Sequence, residues 1–284
     1  KEVLKRRENL HAISPWVVSS SSPPSSSRSE VTYPEDNLEV VCVRSESLKS
    51  FKLGTTRDGA EDPNVEIDSP RLEYMSIRDY TCKSFVIHRI GPFAKVNTDK
   101  FGAVHADDPL ERTLFHGFLT GISTVREMII SARALEDVRI YSKFDPLPLF
   151  YNLSRLDVSF AEHNLELLPT FIGCCPNLQS LIMEFDCPPE TKEIKLSYVP
   201  QCFSSSLEFV EMKTPVTTME PTIKMNLAIY FMRNSAVLKK LVVSKNFINI
   251  ISKIRKIPKL SRWCEVAMLE FEVVSQKSSL VSGH

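Results

Sequence analysis

From Asn37 onward the chain repeats one apolar spacing: a hydrophobic residue at position 0, another at +3 and a third at +5. It occurs as Leu38-Val41-Val43, Leu48-Phe51-Leu53, Leu72-Met75-Ile77 and Val125-Met128-Ile130. It returns as Leu153-Leu156-Val158, Leu178-Leu181-Met183, Leu207-Val210-Met212 and Leu238-Leu241-Val243, with a weaker copy at Phe93-Val96-Thr98. Positions +3 and +5 are two apart and so share one face of a short strand. Position 0 brings the chain into that strand and packs behind it. After the first pair, the anchors advance by 24, 21, 32, 28, 25, 29 and 31 residues. That is the leucine-rich-repeat period with some enlarged copies. A strand this short needs a neighbour on each side, so the expected fold is α/β. It is an irregular leucine-rich-repeat solenoid, with short parallel strands on the concave side and helices and loops on the convex side.

Between the strands lie apolar stripes that predict short returns. Leu110, Leu114, Phe118 and Leu119 form one before Gly121. Leu165, Leu168, Phe171 and Ile172 form another, with Pro169 limiting it to a short or irregular turn. Leu227, Tyr230 and Phe231 precede the strand at Leu238, and Phe247, Ile250, Ile251 and Ile254 follow it, ending at Pro258. Regular leucine-rich repeats place an Asn near +8, where its amide bonds the turning backbone. Here +8 holds Glu46, Thr56, Tyr80, Arg133, Ala161, Asp186 and Pro215, and only the last of these copies keeps the amide, as Asn246. The turns should therefore be satisfied differently from copy to copy.

These patterns divide the 284 residues into four stretches. Residues 1–36, with the tract SSSSPPSSSRS at Ser19–Ser29, have the composition of a flexible Ser/Pro-rich segment. Residues 37–198 hold leucine-rich repeats, 199–275 continue the solenoid, and 276–284 form a flexible tail.

The wording of the repeats carries a resemblance. The phrases are SLKSFKL (Ser47–Leu53), DSPRLEYMSIRDY (Asp68–Tyr80), FVIHRIGPFAKV (Phe85–Val96) and FLTGISTVREMIIS (Phe118–Ser131). With them go LPTFIGCCPNLQSLIMEF (Leu168–Phe185), VPQCFSSSLEFVEMK (Val199–Lys213) and AIYFMRNSAVLKKLVVS (Ala228–Ser244). Together they resemble the repeat and FBD regions of plant F-box/FBD/LRR-repeat proteins, over about Asn37 to Val274. The resemblance implies that residues 199–275 are FBD-like. It also implies substrate recognition for an SCF-type ubiquitin ligase, a place in the ubiquitin conjugation pathway. In that family the F-box precedes the repeats and binds a Skp1-type adaptor. No LPxxxLxxIL-like stretch precedes Asn37, so that adaptor is not expected to contact these residues. An F-box-less protein binder or decoy acting without a ligase is the alternative.

Composition narrows the chemistry. Thirty-five basic residues balance thirty-five acidic ones, so no net field favours nucleic acid or a membrane. The chain carries no polybasic arm, no signal-like apolar start and no run of 18 apolar residues. Seven cysteines, an odd number with no CxxC pair, point to reduced thiols and a cytoplasmic or nuclear protein. GxSxG, Walker A and GxGxxG motifs are absent. His105, Asp107 and Asp108 precede Pro109, where an aspartate caps a helix more readily than it binds a metal. Cys174 and Cys175 end an apolar stripe and read as packing residues, and His88 and His163, among apolar neighbours, read as packing or loop residues. No catalytic, metal or cofactor site is expected, and an unrecognised hydrolase built on Ser123, His105 and Asp108 is disfavoured.

What remains is a surface. Positions +2, +4 and +6 point away from the buried +3 and +5. The expected protein-binding residues on this concave strand face are Tyr74, Arg78, Glu127, Arg155, Asp157, Glu184, Phe209, Glu211 and Lys213. Their partner would be a protein or peptide, with aromatic and Arg residues as anchors.

Overall fold

The computed structural model describes residues 16–18, 28–32, 40–54, 64–78, 84–99, 108–161, 164–185, 196, 198–214 and 221–269. The fold is α/β, with two all-parallel sheets and a layer of helices. The first part of the chain alternates between the sheets. β1 (Trp16–Val18), β3 (Val40–Arg44), β5 (Asn64–Ser69) and β7 (Ser84–Ile90) form a four-stranded sheet. β2 (Arg28–Thr32), β4 (Ser50–Gly54), β6 (Tyr74–Arg78) and β8 (Lys95–Thr98) lie between them in sequence and enter the larger sheet. That sheet continues through β9 (Glu127–Ile130), β10 (Arg155–Phe160), β11 (Ser180–Phe185), β12 (Phe209–Lys213), β13 (Lys240–Val243) and β14 (Glu265–Met268). Its ten strands stand in chain order. From β8 onward the returns contain helices: α1 (Pro109–Gly121), α2 (Ala132–Tyr141), α3 (Leu168–Gly173), α4 (Cys202–Ser205), α5 (Pro221–Asn234) and α6 (Ile251–Arg255). Two strands, β1 and β2, fall inside the segment that composition reads as flexible; the rest of residues 1–36 lies outside the described residues.

The step lengths explain the change from strand to helix. A strand rises about 3.3 Å per residue and a helix about 1.5 Å, so a strand recrosses the core with fewer residues. The steps of 24 and 21 residues hold strand returns, and those of 25 to 32 hold helices. β5 buries Val65 and Ile67 and leaves Glu66 and Asp68 half-exposed, the alternation a strand needs. α1 is capped by Asp108, whose Oδ1 accepts the Leu110 amide at 2.8 Å, with Pro109 in its first turn. It continues the layer beside β7: Phe118 meets Phe85 edge-to-face at 5.0 Å. α2 begins at Ser131, whose hydroxyl accepts the Ala134 amide at 3.2 Å.

Seven of the sequence anchors are buried: Leu48, Leu72, Val125, Leu153, Leu178, Leu207 and Leu238. Four readings change. Val41 and Val43 lie in β3 of the smaller sheet, so the copy read from Leu38 is a return strand and the ten-residue step to Leu48 falls within one turn. Leu38 lies outside the described residues. Phe93 is 72% exposed, and Ala94, fully buried, takes the anchor's place one residue nearer its strand. A further copy enters the sheet as β14, with buried Cys264 as anchor and Trp263 84% exposed. In the first helical stripe Leu110 is exposed and Leu114 only half-buried, while Phe115 is buried.

Backbone hydrogen bonds repeat with the same phase. At four anchors the amide bonds the carbonyl three residues earlier: Leu72 to Ser69 at 3.0 Å, and Val125 to Ile122, Leu153 to Phe150 and Leu178 to Cys175 at 3.2 Å each, whereas Leu207 bonds Cys202 O at 2.8 Å. The next residue's carbonyl accepts two amides from the following turn. Arg126 O takes those of Ser154 and Arg155, at 2.9 and 3.2 Å. Ser154 O takes Gln179 and Ser180, both at 2.9 Å, and Glu208 O takes Lys239 and Lys240, at 2.8 and 3.1 Å.

Side-chain amides close the turns, at +8 in the copy that keeps Asn246 and at other places in the earlier copies. Just before the anchor, Asn152 donates to Thr124 O at 3.1 Å and Asn177 to Tyr151 O at 2.9 Å. Ser206 takes the equivalent place and donates to Leu178 O at 2.9 Å. Beyond the strand, buried Asn164 donates to Ala132 O at 3.0 Å, and Asn246 to Thr214 O.

Close backbone approach makes one glycine obligatory. A Cβ on Gly91 would lie 2.3 Å from Leu72 O, whereas one on Gly117, within α1, meets nothing within 4 Å. Gly91→Ala should cost about 1–3 kcal/mol by overpacking. Gly117→Ala should stabilise by about 0.5–1 kcal/mol through helix propensity. Urea midpoints that shift the same way for both variants would contradict this packing.

Candidate protein-binding face

The register of the ten-stranded sheet sorts the expected binding residues into rows. Tyr74, Glu127, Arg155 and Phe209 share one row, with Lys95 between the first two and Ser180 between the last two. Asp157 and Glu211 share the next row, separated by Ile182. Glu184 and Lys213 are direct neighbours in the third. Arg78 ends β6, and its side chain lies outside the described residues.

Burial divides them further. Arg155 is exposed, whereas Tyr74, Glu127, Asp157, Glu184, Phe209 and Lys213 are half-buried. Ile182 and Glu211, which strand alternation turns outward, are only 2% and 9% exposed. In a parallel in-register sheet every middle-row side chain has equivalents about 4.8 Å away on both neighbouring strands, which leaves it little free surface.

Most charges near this face are paired within the sheet. Lys95 Nζ lies 3.6 Å from Glu127, and Lys213 Nζ is 3.6 Å from Glu211. At the margin, Lys49 meets Glu73 and Lys239 meets Glu208, both at 2.8 Å. Arg155 and Asp157, alternate residues of β10, have no ion-pair partner among the described residues. They stand beside Glu127 and half-buried Ile129 on one flank and Ser180 and Ile182 on the other.

The smaller sheet presents a contrasting face. Arg89 forms a two-pronged pair with Asp68 and reaches Glu46 at 3.1 Å, and Arg44 meets Glu66 at 3.2 Å. The Arg89 hydrogen bond holds the Asp68 carboxyl below its usual range. Burial, and then Glu66, pushes the Cys42 thiol upward. Its charges are satisfied internally, whereas β10 holds two that are not.

Exposed aromatics that the spacing did not reveal lie at the starting ends of the main strands. Phe93 lies under the Arg126 guanidinium at 5.8 Å, and Arg126 also contacts Ser154 Oγ at 3.4 Å. Tyr151, 58% exposed, precedes β10. The signal for Phe93 was Gly91-Pro92, which shortens the lead into β8 by one residue.

The other chemical candidates resolve into local structure. Ser123 Oγ donates to Thr120 O at 2.7 Å in the turn after α1. Asp108 is the helix cap described above, while His105, Asp107 and His163 lie outside the described residues. Cys174 and Cys175 back-bond to Thr170 O and Phe171 O at 3.5 and 3.4 Å, and burial raises both thiol pKa values. His88 is exposed on β7. Among the described residues no cluster of three or more His, Cys, Asp or Glu is placed to hold a metal, and no helix is long and apolar enough to cross a membrane.

A family described as FBD matches residues 195–243, which run from before α4 through β13. An F-box/FBD/LRR-repeat protein of Arabidopsis thaliana is 53% identical over 258 residues, covering 88% of this chain and 55% of that protein. An FBD-associated F-box protein of the same plant is 52% identical over 75% of this chain and 52% of its own length. An F-box protein is 50% identical over 72% and 51%. Over these residues the chain carries an FBD match and has homologues among plant F-box/FBD/LRR-repeat proteins. It spans about half the length of the curated relatives it matches. No solved structure matches it.

Within the FBD match, α5 buries Leu227, Tyr230 and Phe231, the two rings meeting Phe203 of α4 at 5.1 and 5.4 Å, and Tyr230 donates to Tyr198 O at 2.7 Å. Lys224, 4% exposed on α5, donates to Asn246 O at 2.8 Å, and burial lowers its pKa.

The two unpaired charges of β10 should contribute little to folding. Arg155→Ala and Asp157→Ala should each change stability by less than about 0.5 kcal/mol. A Lys95/Glu127 double-mutant cycle should give a coupling below about 1 kcal/mol. Urea denaturation reads both, and a loss above about 2 kcal/mol at Arg155 or Asp157 would make them structural.

Proposed function

We propose that the chain is an irregular leucine-rich-repeat solenoid, continuous through its FBD region, that binds a protein target on the outward face of its main sheet. The target is presented to an SCF-type ubiquitin ligase, and the chain itself performs no chemistry. The observation that carries this reading is Arg155 and Asp157, left unpaired beside apolar residues in a sheet whose other charges are largely paired. A binding face needs charges free to meet a partner, with apolar contacts beside them. The ligase half rests on the relatives, whose names carry F-box, FBD and LRR-repeat. Tyr74, Glu127, Glu184, Phe209, Glu211, Lys213 and Arg78 form the rest of the face, and the protein works in the cytoplasm or nucleus.

Affinity purification of the full chain from plant cells, beside an Arg155→Glu/Asp157→Lys variant, tests the face. At least one protein should be recovered by the wild type and lost with the variant, whose circular dichroism stays unchanged. Identical recoveries would place the site elsewhere. Stabilisation of that protein on proteasome inhibition supports the ligase role. A target whose lifetime ignores both the inhibitor and the chain would favour a binder acting without a ligase.

A further inference from the structure

The even charge balance of the whole chain hides a basic stretch, 245–269, which Glu270 and Glu272 follow. From Lys245 to Leu269, beyond the FBD match, there are six cations and one carboxylate, Glu265. The cations are Lys245, Lys253, Arg255, Lys256, Lys259 and Arg262, and all six are exposed. Lys253, Arg255, Lys256 and Arg262 have no ion-pair partner among the described residues. Lys259 donates to Cys264 O at 2.7 Å, which ties the basic loop to the start of β14. In the same loop Trp263 is 84% and Leu260 54% exposed, while Ile254 and Ile257 turn into the core.

This loop leads into the last strand of the ten-stranded sheet. The amides of Glu265 and Leu269 bond Lys239 O and Val243 O of the β13 side, both at 2.9 Å. Successive amides of a strand point to opposite edges, so those of Val266 and Met268 turn away from β13. Among the described residues no strand meets that edge.

We propose that this end is a second docking surface, which takes an acidic, extended segment of a partner protein as an added strand on β14. Carboxylates of the segment meet Arg262 and the cations of α6 and its following loop, and an apolar side chain rests on Trp263 and Leu260. Backbone pairing supplies affinity and the side-chain contacts supply selectivity, as in other strand-addition complexes. The alternatives fit less well. A single-stranded nucleic acid needs successive stacking rings, and Trp263 is the one exposed aromatic ring among the described residues of this end. An anionic bilayer needs a broad apolar face on a helix, and the apolar residues of α6 are directed inward.

The full chain is titrated with a labelled peptide alternating glutamate and valine, and binding is followed by fluorescence anisotropy. The wild type should bind, with affinity falling as salt rises. A Lys253→Glu/Arg255→Glu/Lys256→Glu/Arg262→Glu variant with an unchanged circular dichroism spectrum should bind at least about tenfold more weakly. A copy of the peptide N-methylated at alternate residues keeps its charge and loses strand pairing, and should fail to bind. The Arg155→Glu/Asp157→Lys variant should bind as the wild type does, so the outcome is independent of the sheet-face reading. The proposal is overturned if the wild type ignores the peptide, if the charge-reversed variant binds equally, or if the N-methylated copy binds as well. Tighter capture of oligouridylate or phosphatidylserine vesicles through the same four cations would also overturn it.

Discussion

One backbone interaction sets the phase of the main sheet. In most turns the carbonyl at or just after the anchor accepts two amides from the next turn, at Lys49, Ala94, Arg126, Ser154, Gln179 and Glu208, while Glu73 O and Lys239 O accept one each. A backbone carbonyl can accept two hydrogen bonds through its two lone pairs, so this junction fixes where each strand begins relative to the last. Register then follows without a slip from β4 to β14. The anchor beside the junction is buried even where the return changes from strand to helix. The return is thus free to vary in length and type, and only its two ends are constrained.

The same constraint assembles the outward rows. A fixed register lines up residues from strands far apart in sequence, such as Tyr74, Glu127, Arg155 and Phe209. Where lysine and glutamate fall side by side, as Lys95 and Glu127 do, the sheet neutralises itself. Arg155 falls between Ser180 and Glu127, which already meets Lys95, and its charge stays open. Which charges stay open on this face is a matter of which neighbours the register supplies.

Much of this was legible in the sequence because position 0 must be apolar and deeply buried: Leu72, Leu153, Leu178 and Leu238 are all fully covered. Which sheet a strand joins was not legible, since Val41 and Val43 show the same two-residue alternation as Phe51 and Leu53. Cys264-Val266-Met268 was hidden because its lead is one residue short. The missing +8 asparagines misdirected attention from Asn152, Asn177 and Asn164, which do equivalent bonding from other positions. Burial of Ile182 and Glu211 depends on their neighbours across the sheet, and local alternation carries no trace of it. Total charge likewise concealed the basic terminal turn.

The proposed solenoid runs without a break through the FBD region, from β11 through β12 to β13. Native-state hydrogen exchange on the full chain tests this most directly. Amide protection should change smoothly across those three strands, as expected of turns held by nearest-neighbour contacts. A sharp step in opening free energy between Phe185 and Phe209 would mean that the FBD region folds as a separate unit, and would contradict the account.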